Sequence, residues 1–145
     1  MPIRLALLDD HQIVIDGLKL LLSGRNDIEV IEDFTKGRDL LLWLRSNSVD
    51  IVMTDIIMPD MDGYDVAIAL KKEYPTIRII ALSMNGEGEL IEKMIEEAEV
   101  SAYLLKTTDR DELMTAIQAV WEGDTYFAKE ILYELNQYKK LKREN

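Results

Sequence analysis

The sequence contains no cysteine, which removes disulfide frameworks, thiolate metal sites and thiol nucleophiles at once. Basic residues are in short supply, 17 against 28 acids for a formal net charge of -11. Such a chain does not itself grip nucleic acid or an anionic membrane by charge. No segment approaches the roughly 18–20 apolar residues of a membrane span, and the N-terminus enters a strand pattern directly, without a signal-peptide pattern. Together with the missing thiols this gives a cytoplasmic expectation. No loop is rich enough in Gly, Ser and Thr to cradle a flavin phosphate. At 145 residues there is length for one domain with a sizeable core and a short appendage, and none for a second full domain.

What is present is a repeated event: an apolar run that stops on a polar residue. Ile51-Val52-Met53-Thr54 ends on Asp55, and Pro59 and Gly63 then break the chain before a periodic run over 64–74, closed by Pro75. Leu5-Ala6-Leu7-Leu8 ends on Asp9 and Asp10, 78–82 ends on Ser83, and Ala102-Tyr103-Leu104-Leu105 ends on Lys106. Buried parallel strands read as such runs, and in open α/β sheets ligands gather at their C-terminal ends. A lone acid after a strand is ordinarily a solvated loop residue, and a lone lysine there is ordinarily surface. Three acids sharing one crevice raise each other's pKa and repel, unless a cation neutralises them. All-oxygen ligation by carboxylates suits Mg²⁺.

Between these strands the spacing predicts helices. The segment 11–22 carries Ile13, Val14, Gly17, Leu18, Leu21 and Leu22 at helical spacing, with Ser23-Gly24 as its stop. The single histidine, His11, is either a ligand or base beside the acid pair or, three times as readily, a surface residue at the helix start. Residues 28–34 alternate acidic and apolar residues as an edge strand does. Further helices are expected after Gly37, with Leu40, Leu41, Trp43 and Leu44 inward, then near 87–97 and near 109–121, where Thr108 and Asp111 resemble a capping box. Alternating strands and helices mean a five-stranded parallel doubly wound sheet with helices on both faces. Beyond Gly123 the pattern changes. Over 128–142, Ile131, Leu132, Leu135, Tyr138 and Leu141 stand at helical spacing beside a basic cluster; a helix with one apolar stripe and a frayed tail are equally good readings.

The order acid pair, single acid, hydroxyl, lysine resembles the receiver domain of two-component response regulators, with its flavodoxin-like fold. The resemblance covers 3–121 and rests on Asp9-Asp10-His11, Thr54-Asp55 followed by Met58-Pro59 and Met61-Asp62-Gly63, then Ser83, and Tyr103-Leu104-Leu105-Lys106. The opening words are most similar to the subgroup with a LuxR-type helix-turn-helix after the receiver. The resemblance implies that Asp55 is the phosphorylated nucleophile, fed by a sensor histidine kinase or a small acyl phosphate. It implies that Asp10, Asp55 and the backbone carbonyl of Ile57 ligate Mg²⁺, with Asp9 acting mostly through water. Lys106 would pair with a phosphoryl oxygen. Ser83 and Tyr103 would form the switch, the Tyr103 ring turning from solvent to interior on phosphorylation. Ile57 and Asn85 would border the attacking water and tune the phosphoryl lifetime.

The same resemblance implies a receiver over 1–124, a linker or tail over 125–145, a homodimer on phosphorylation, and DNA contact only through an output domain absent from this chain. No catalysis is implied beyond its own phosphorylation and dephosphorylation. The chain departs from the family's pattern at Glu99 and Ala102, where glycines are usual, and at Thr107, where proline is common; a left-handed cap at Glu99 costs up to about 1 kcal/mol against glycine, and a trans peptide is expected at Thr107. Competing readings are a receiver that stands alone and acts by protein contact, a flavin or cobalamin domain, and an aspartyl phosphatase. The cobalamin motif lacks its glycine in Asp9-Asp10-His11-Gln12-Ile13-Val14, and the phosphatase motif Asp-x-Asp-x-Thr is missing.

Overall fold

Every residue of Ile51–Asp55 is buried, and this central strand, β3, sets the layout of the computed structural model, which describes residues 1–84 and 87–144. A strand apolar on both faces needs strands beside it and helices above and below. β1 (Ile3–Leu8) and β4 (Arg78–Ser83) flank it, β2 (Ile28–Phe34) pairs with β1, and β5 (Ala102–Leu105) pairs with β4. All of these pairings are parallel. The helices are α1 (Gln12–Leu22), α2 (Gly37–Trp43), α3 (Gly63–Glu73), α4 (Gly88–Glu92), α5 (Arg110–Trp121) and α6 (Lys129–Glu144). α4 runs straight into a π-helical turn, Lys93–Glu97.

The sheet has six strands, in the order β2-β1-β3-β4-β5-β6, where five were expected. The added strand, β6 (Tyr126–Phe127), lies parallel to β5 with Tyr103 opposite Phe127. Its bonds to the edge run from the Tyr126 N–H to the Ser101 carbonyl (2.9 Å) and from the Ala128 N–H to the Tyr103 carbonyl (3.1 Å). A strand of two residues is too short to leave a periodic signature. Beyond it the tail is no frayed end: Ala128, Ile131 and Leu135 are buried in the core, and α6 packs along α4.

Three local expectations shift. In α1 the core face is Ile15, Leu18 and Leu22, while Ile13 is 81 % exposed; the true stripe is rotated from the one read off the sequence. The cap of α5 is Asp109, whose carboxylate accepts from the Glu112 N–H at 2.8 Å, and Thr108 instead donates to the Glu112 carboxylate. The cap therefore sits one residue later than Thr108, and the reciprocal half of a box is not made, since the Glu112 carboxylate accepts from Thr108 and Tyr126 instead. Helix α3 starts at Gly63 behind an Asp62–Asp65 capping box. A side chain at Gly63 would overlap the Asp55 carbonyl oxygen, so glycine lets α3 begin directly against the end of β3.

Glu99 holds φ of 54°, so the left-handed geometry that favours glycine is kept here by a residue with a side chain. The Lys71 ammonium anchors it, bonding the Glu99 carboxylate at 2.8 Å and the Glu97 carbonyl at 3.0 Å. No cis peptide occurs among the described residues, Thr107 included. No helix among them is long and apolar enough to cross a membrane.

Candidate functional site

The register of the parallel strands determines which side chains meet. Leu8 lies opposite Thr54, Asp55 opposite Leu82, and Ser83 opposite Leu105. The residues at or just past these positions, Asp9, Asp10, Asp55, Ser83 and Lys106, therefore emerge along one edge. The Lys106 N–H donates to the Ser83 carbonyl at 2.8 Å, which fixes the lysine's loop to the end of β4. Thr54 turns its hydroxyl onto the Asp55 carbonyl (2.8 Å) and is fully buried.

Ligand atoms of Asp9, Asp10, His11 and Asp55 all lie within 4.8 Å of one another. Asp9 and Asp55 are buried, at 1 % and 4 % exposure. The Lys106 ammonium bridges them, 2.8 Å from Asp9 Oδ2 and 3.1 Å from Asp55 Oδ1. The other Asp9 oxygen accepts the His11 backbone N–H at 2.8 Å. Asp10 is half-buried, with Oδ1 3.1 Å from His11 Nδ1. One ammonium against three carboxylates leaves the cluster short of positive charge.

Burial pushes the Asp55 carboxyl up to about 6, Lys106 pulling against that and Asp9 adding to it. Burial likewise works to lower the Lys106 pKa, but Asp9 and Asp55 overcome it, and the ammonium is held above its ordinary range. A buried, oxygen-rich, under-neutralised cluster is the donor set of a hard divalent cation. The acidic pocket can hold a metal ion. Asp9, tied to Lys106 and the His11 N–H, has less freedom to ligate than Asp10.

The pocket above this cluster, about 240 Å³, is lined by His11, Asp55, Ile57, Ser83, Met84, Glu87 and Lys106. The structure thus gathers Asp9, Asp10, Asp55, Ser83 and Lys106 at one edge, with Ile57 on the pocket rim. Asn85 lies outside the described residues. His11 is the exposed residue at the start of α1, as the more favoured expectation had it, yet it also borders the acids. Sequence reasoning missed Met84 and Glu87, whose only signal was their position just after Ser83.

The Tyr103 ring is fully buried, the interior one of the two positions expected for it. Burial pushes the phenol's pKa well above its usual range, and Ser83 beside it works the other way.

Comparison with known proteins agrees with the geometry. The family model described as the response regulator receiver domain matches residues 5–118. The chain belongs to that family. Response regulator protein VraR of Staphylococcus epidermidis is 30% identical over 141 residues, which cover 97% of this chain and 67% of VraR. Among solved structures, a two-component response regulator of the LuxR family from Aurantimonas matches with a TM-score of 0.87 and 26% identity, over 96% of this chain and 99% of that one. RcsB of Salmonella typhimurium shares the fold with 22% identity and a TM-score of 0.85, over 93% of this chain and 66% of that one. The chain therefore spans about two thirds of the length of its longer relatives, VraR and RcsB.

Proposed function

We propose that this receiver accepts a phosphoryl group on Asp55 and passes on the resulting change of surface. The observation that carries the reading is the buried Asp55 carboxylate, 3.1 Å from the Lys106 ammonium and inside a cluster with Asp9 and Asp10. An Asp55 oxygen attacks the phosphorus of a phosphohistidine on a sensor kinase, or of a small acyl phosphate. The new P–O bond forms as the bond to the donor breaks, and the displaced imidazole takes a proton. Lys106 is placed to hold a phosphoryl oxygen as a point charge while it stays fixed by Asp9.

Asp10, Asp55 and the carbonyl of Ile57 would hold Mg²⁺, with Asp9 contributing through water. When bound, Mg²⁺ screens the charge of the phosphoryl oxygens and the carboxylates. Ser83 would meet the phosphoryl group, and Tyr103 responds as part of the same switch. The chain catalyses nothing beyond its own phosphorylation and dephosphorylation.

One RcsB structure has two dimers bound to DNA, and by that likeness this receiver would dimerise when phosphorylated in the cytoplasm. At a net charge of -11 it would reach DNA only through an output domain outside this chain. The test is intact mass after incubation with acetyl phosphate and Mg²⁺. Wild type should gain one phosphoryl adduct and Asp55→Asn none; an adduct that persists in the variant moves the site elsewhere.

A further inference from the structure

The wall of the phosphoryl pocket holds a group that neither metal binding nor phosphoryl transfer uses, the thioether of Met84. It follows Ser83 directly and lines the pocket with His11, Asp55, Ile57, Glu87 and Lys106. The chain has seven methionines and no cysteine, so thioethers are its only sulfur. Five of the seven are shielded: Met53, Met58 and Met94 are buried, and Met61 and Met114 are partly buried and packed on the core. The other two, Met1 and Met84, are exposed, Met84 at 62%. Met1 precedes β1, whose far end leads to Asp9, so it stands at the edge of the sheet away from the pocket. Met84 is therefore the exposed thioether at the site.

We infer that Met84 is a site of oxidation by hydrogen peroxide or a related small peroxide, and that its sulfoxide makes the pocket a poorer phosphoryl acceptor. The second half rests on the phospho-acceptor reading of the site. A sulfur lone pair attacks one oxygen of the peroxide, and the S–O bond forms as the O–O bond breaks. The departing hydroxide takes the remaining peroxide proton through solvent. The thioether is thereby oxidised by two electrons to the sulfoxide, and the peroxide is reduced to water. The reaction needs contact between sulfur and peroxide, which burial denies to the shielded methionines.

The product replaces an apolar side chain by a polar one whose oxygen carries partial negative charge. Two effects follow, and they have the same sign. The pocket already sets one ammonium, Lys106, against Asp9, Asp10 and Asp55, so a further negative oxygen in its wall repels the phosphoryl oxygens. The same oxygen competes with them as an acceptor for the Lys106 ammonium. Methionine sulfoxide reductases return sulfoxides to thioethers, which makes the block reversible.

The test is oxidation of the full chain by hydrogen peroxide, with peptide mass mapping of every methionine. Beryllofluoride titration with Mg²⁺ and the rate of adduct formation from acetyl phosphate are then compared with the untreated protein. Met84 and Met1 should gain an oxygen before Met61 or Met114. Affinity and rate should fall severalfold, and methionine sulfoxide reductase with dithiothreitol should restore both. Met84→Leu, measured against its own untreated sample, should lose nothing to peroxide. Reversal by the reductase is read on wild type, so the decision does not hang on the variant. Oxidation of a shielded methionine ahead of Met84 overturns the inference. So does a fully oxidised Met84 with affinity and rate unchanged, or a Met84→Leu variant as sensitive as wild type. Each of these leaves the phospho-acceptor reading standing. If untreated wild type neither binds beryllofluoride nor forms the adduct, that reading falls and the block of the pocket with it.

Discussion

From β2 to β4 the sheet ends in features spelled by short words of sequence, whereas from β5 outward it is completed by a two-residue strand and a helix whose partners no such word names. In the first region Asp55 follows four apolar residues, Gly63 closes against the carbonyl of Asp55, and Asp9 and Asp10 follow β1 directly. In the second, a two-residue strand completes the edge and α6 reaches back to α4 at Gly88. Both regions contain fully buried side chains, Ile51 and Met53 in the first, Tyr103 and Ile131 in the second, so the difference is not one of quality of packing. It is one of whether a local word of sequence announces the contact, since strand pairings reach far along the chain in both regions, from Leu5 to Ile51 in the first and from Ala102 to Tyr126 in the second; substitutions in each region test whether the two stand together.

The largest effect is expected at Gly63. Alanine there drives its methyl group into backbone at the end of β3, where no flexible side chain can yield. Gly63→Ala should cost about 3 kcal/mol or more, read by urea denaturation, and should impair Asp55 phosphorylation in the same protein. A loss under about 1 kcal/mol would mean that α3 can withdraw from β3 freely.

Ile131→Ala tests the other region. Ile131 is fully buried, so truncation should cost about 2–4 kcal/mol in a single cooperative transition. If α6 were an appendage, the main transition would stay in place and only α6 would melt early. A single shifted transition joins both regions in one folding unit.

The legibility of the sequence follows the same division. Strand ends, the acid pair, Asp55, Ser83 and Lys106 could all be read, because a parallel sheet turns apolar runs of similar length into residues aligned on one edge. The cost of a left-handed cap at Glu99 was legible too, being a local backbone demand, though not whether the chain would adopt it. The sixth strand, the buried Tyr103 and the docking of α6 could not be read. Each depends on what the tail packs against, and periodicity reports a helix's apolar stripe without naming its partner. Gly88 shows the limit well: in sequence it reads as a residue that weakens a helix, and in the structure it makes room for Tyr138.

A smaller and opposite effect is expected at the site itself. Burial raises the Asp55 pKa to about 6, so the folded state binds a proton more tightly than the unfolded chain, whose aspartate titrates near about 4. Stability should therefore fall as pH rises between about 4 and 6, and level off above. Asp55→Asn removes the penalty. In metal-free buffer the variant should match wild type near pH 4 and exceed it by about 1–2 kcal/mol at pH 7. Denaturation curves at several pH values check this, and a variant less stable than wild type at pH 7 would show that the bond to Lys106 outweighs desolvation. Millimolar Mg²⁺ should narrow the gap by stabilising wild type alone.

The smallest effect is expected at Glu99, in the outer region but of the local kind. Its φ of 54° costs a residue with a side chain about 1 kcal/mol more than glycine. Against that stands the bond from Lys71 to the Glu99 carboxylate at 2.8 Å, between side chains 44% and 66% exposed, and surface pairs of this sort contribute about 0–1 kcal/mol. The Lys71 bond to the Glu97 carbonyl does not depend on residue 99 having a side chain. Backbone relief should outweigh the lost pair, and Glu99→Gly is expected to stabilise the fold by about 0.5 kcal/mol. Glu99→Gln separates the two contributions, because it weakens the pair and leaves the backbone demand intact; it should cost a few tenths of a kcal/mol at most. Urea denaturation of both variants beside wild type decides the point. If Glu99→Gly is the less stable, the pair with Lys71 holds the turn before β5 more strongly than its exposure allows, and this corner is fixed by a contact between distant segments like the rest of its region.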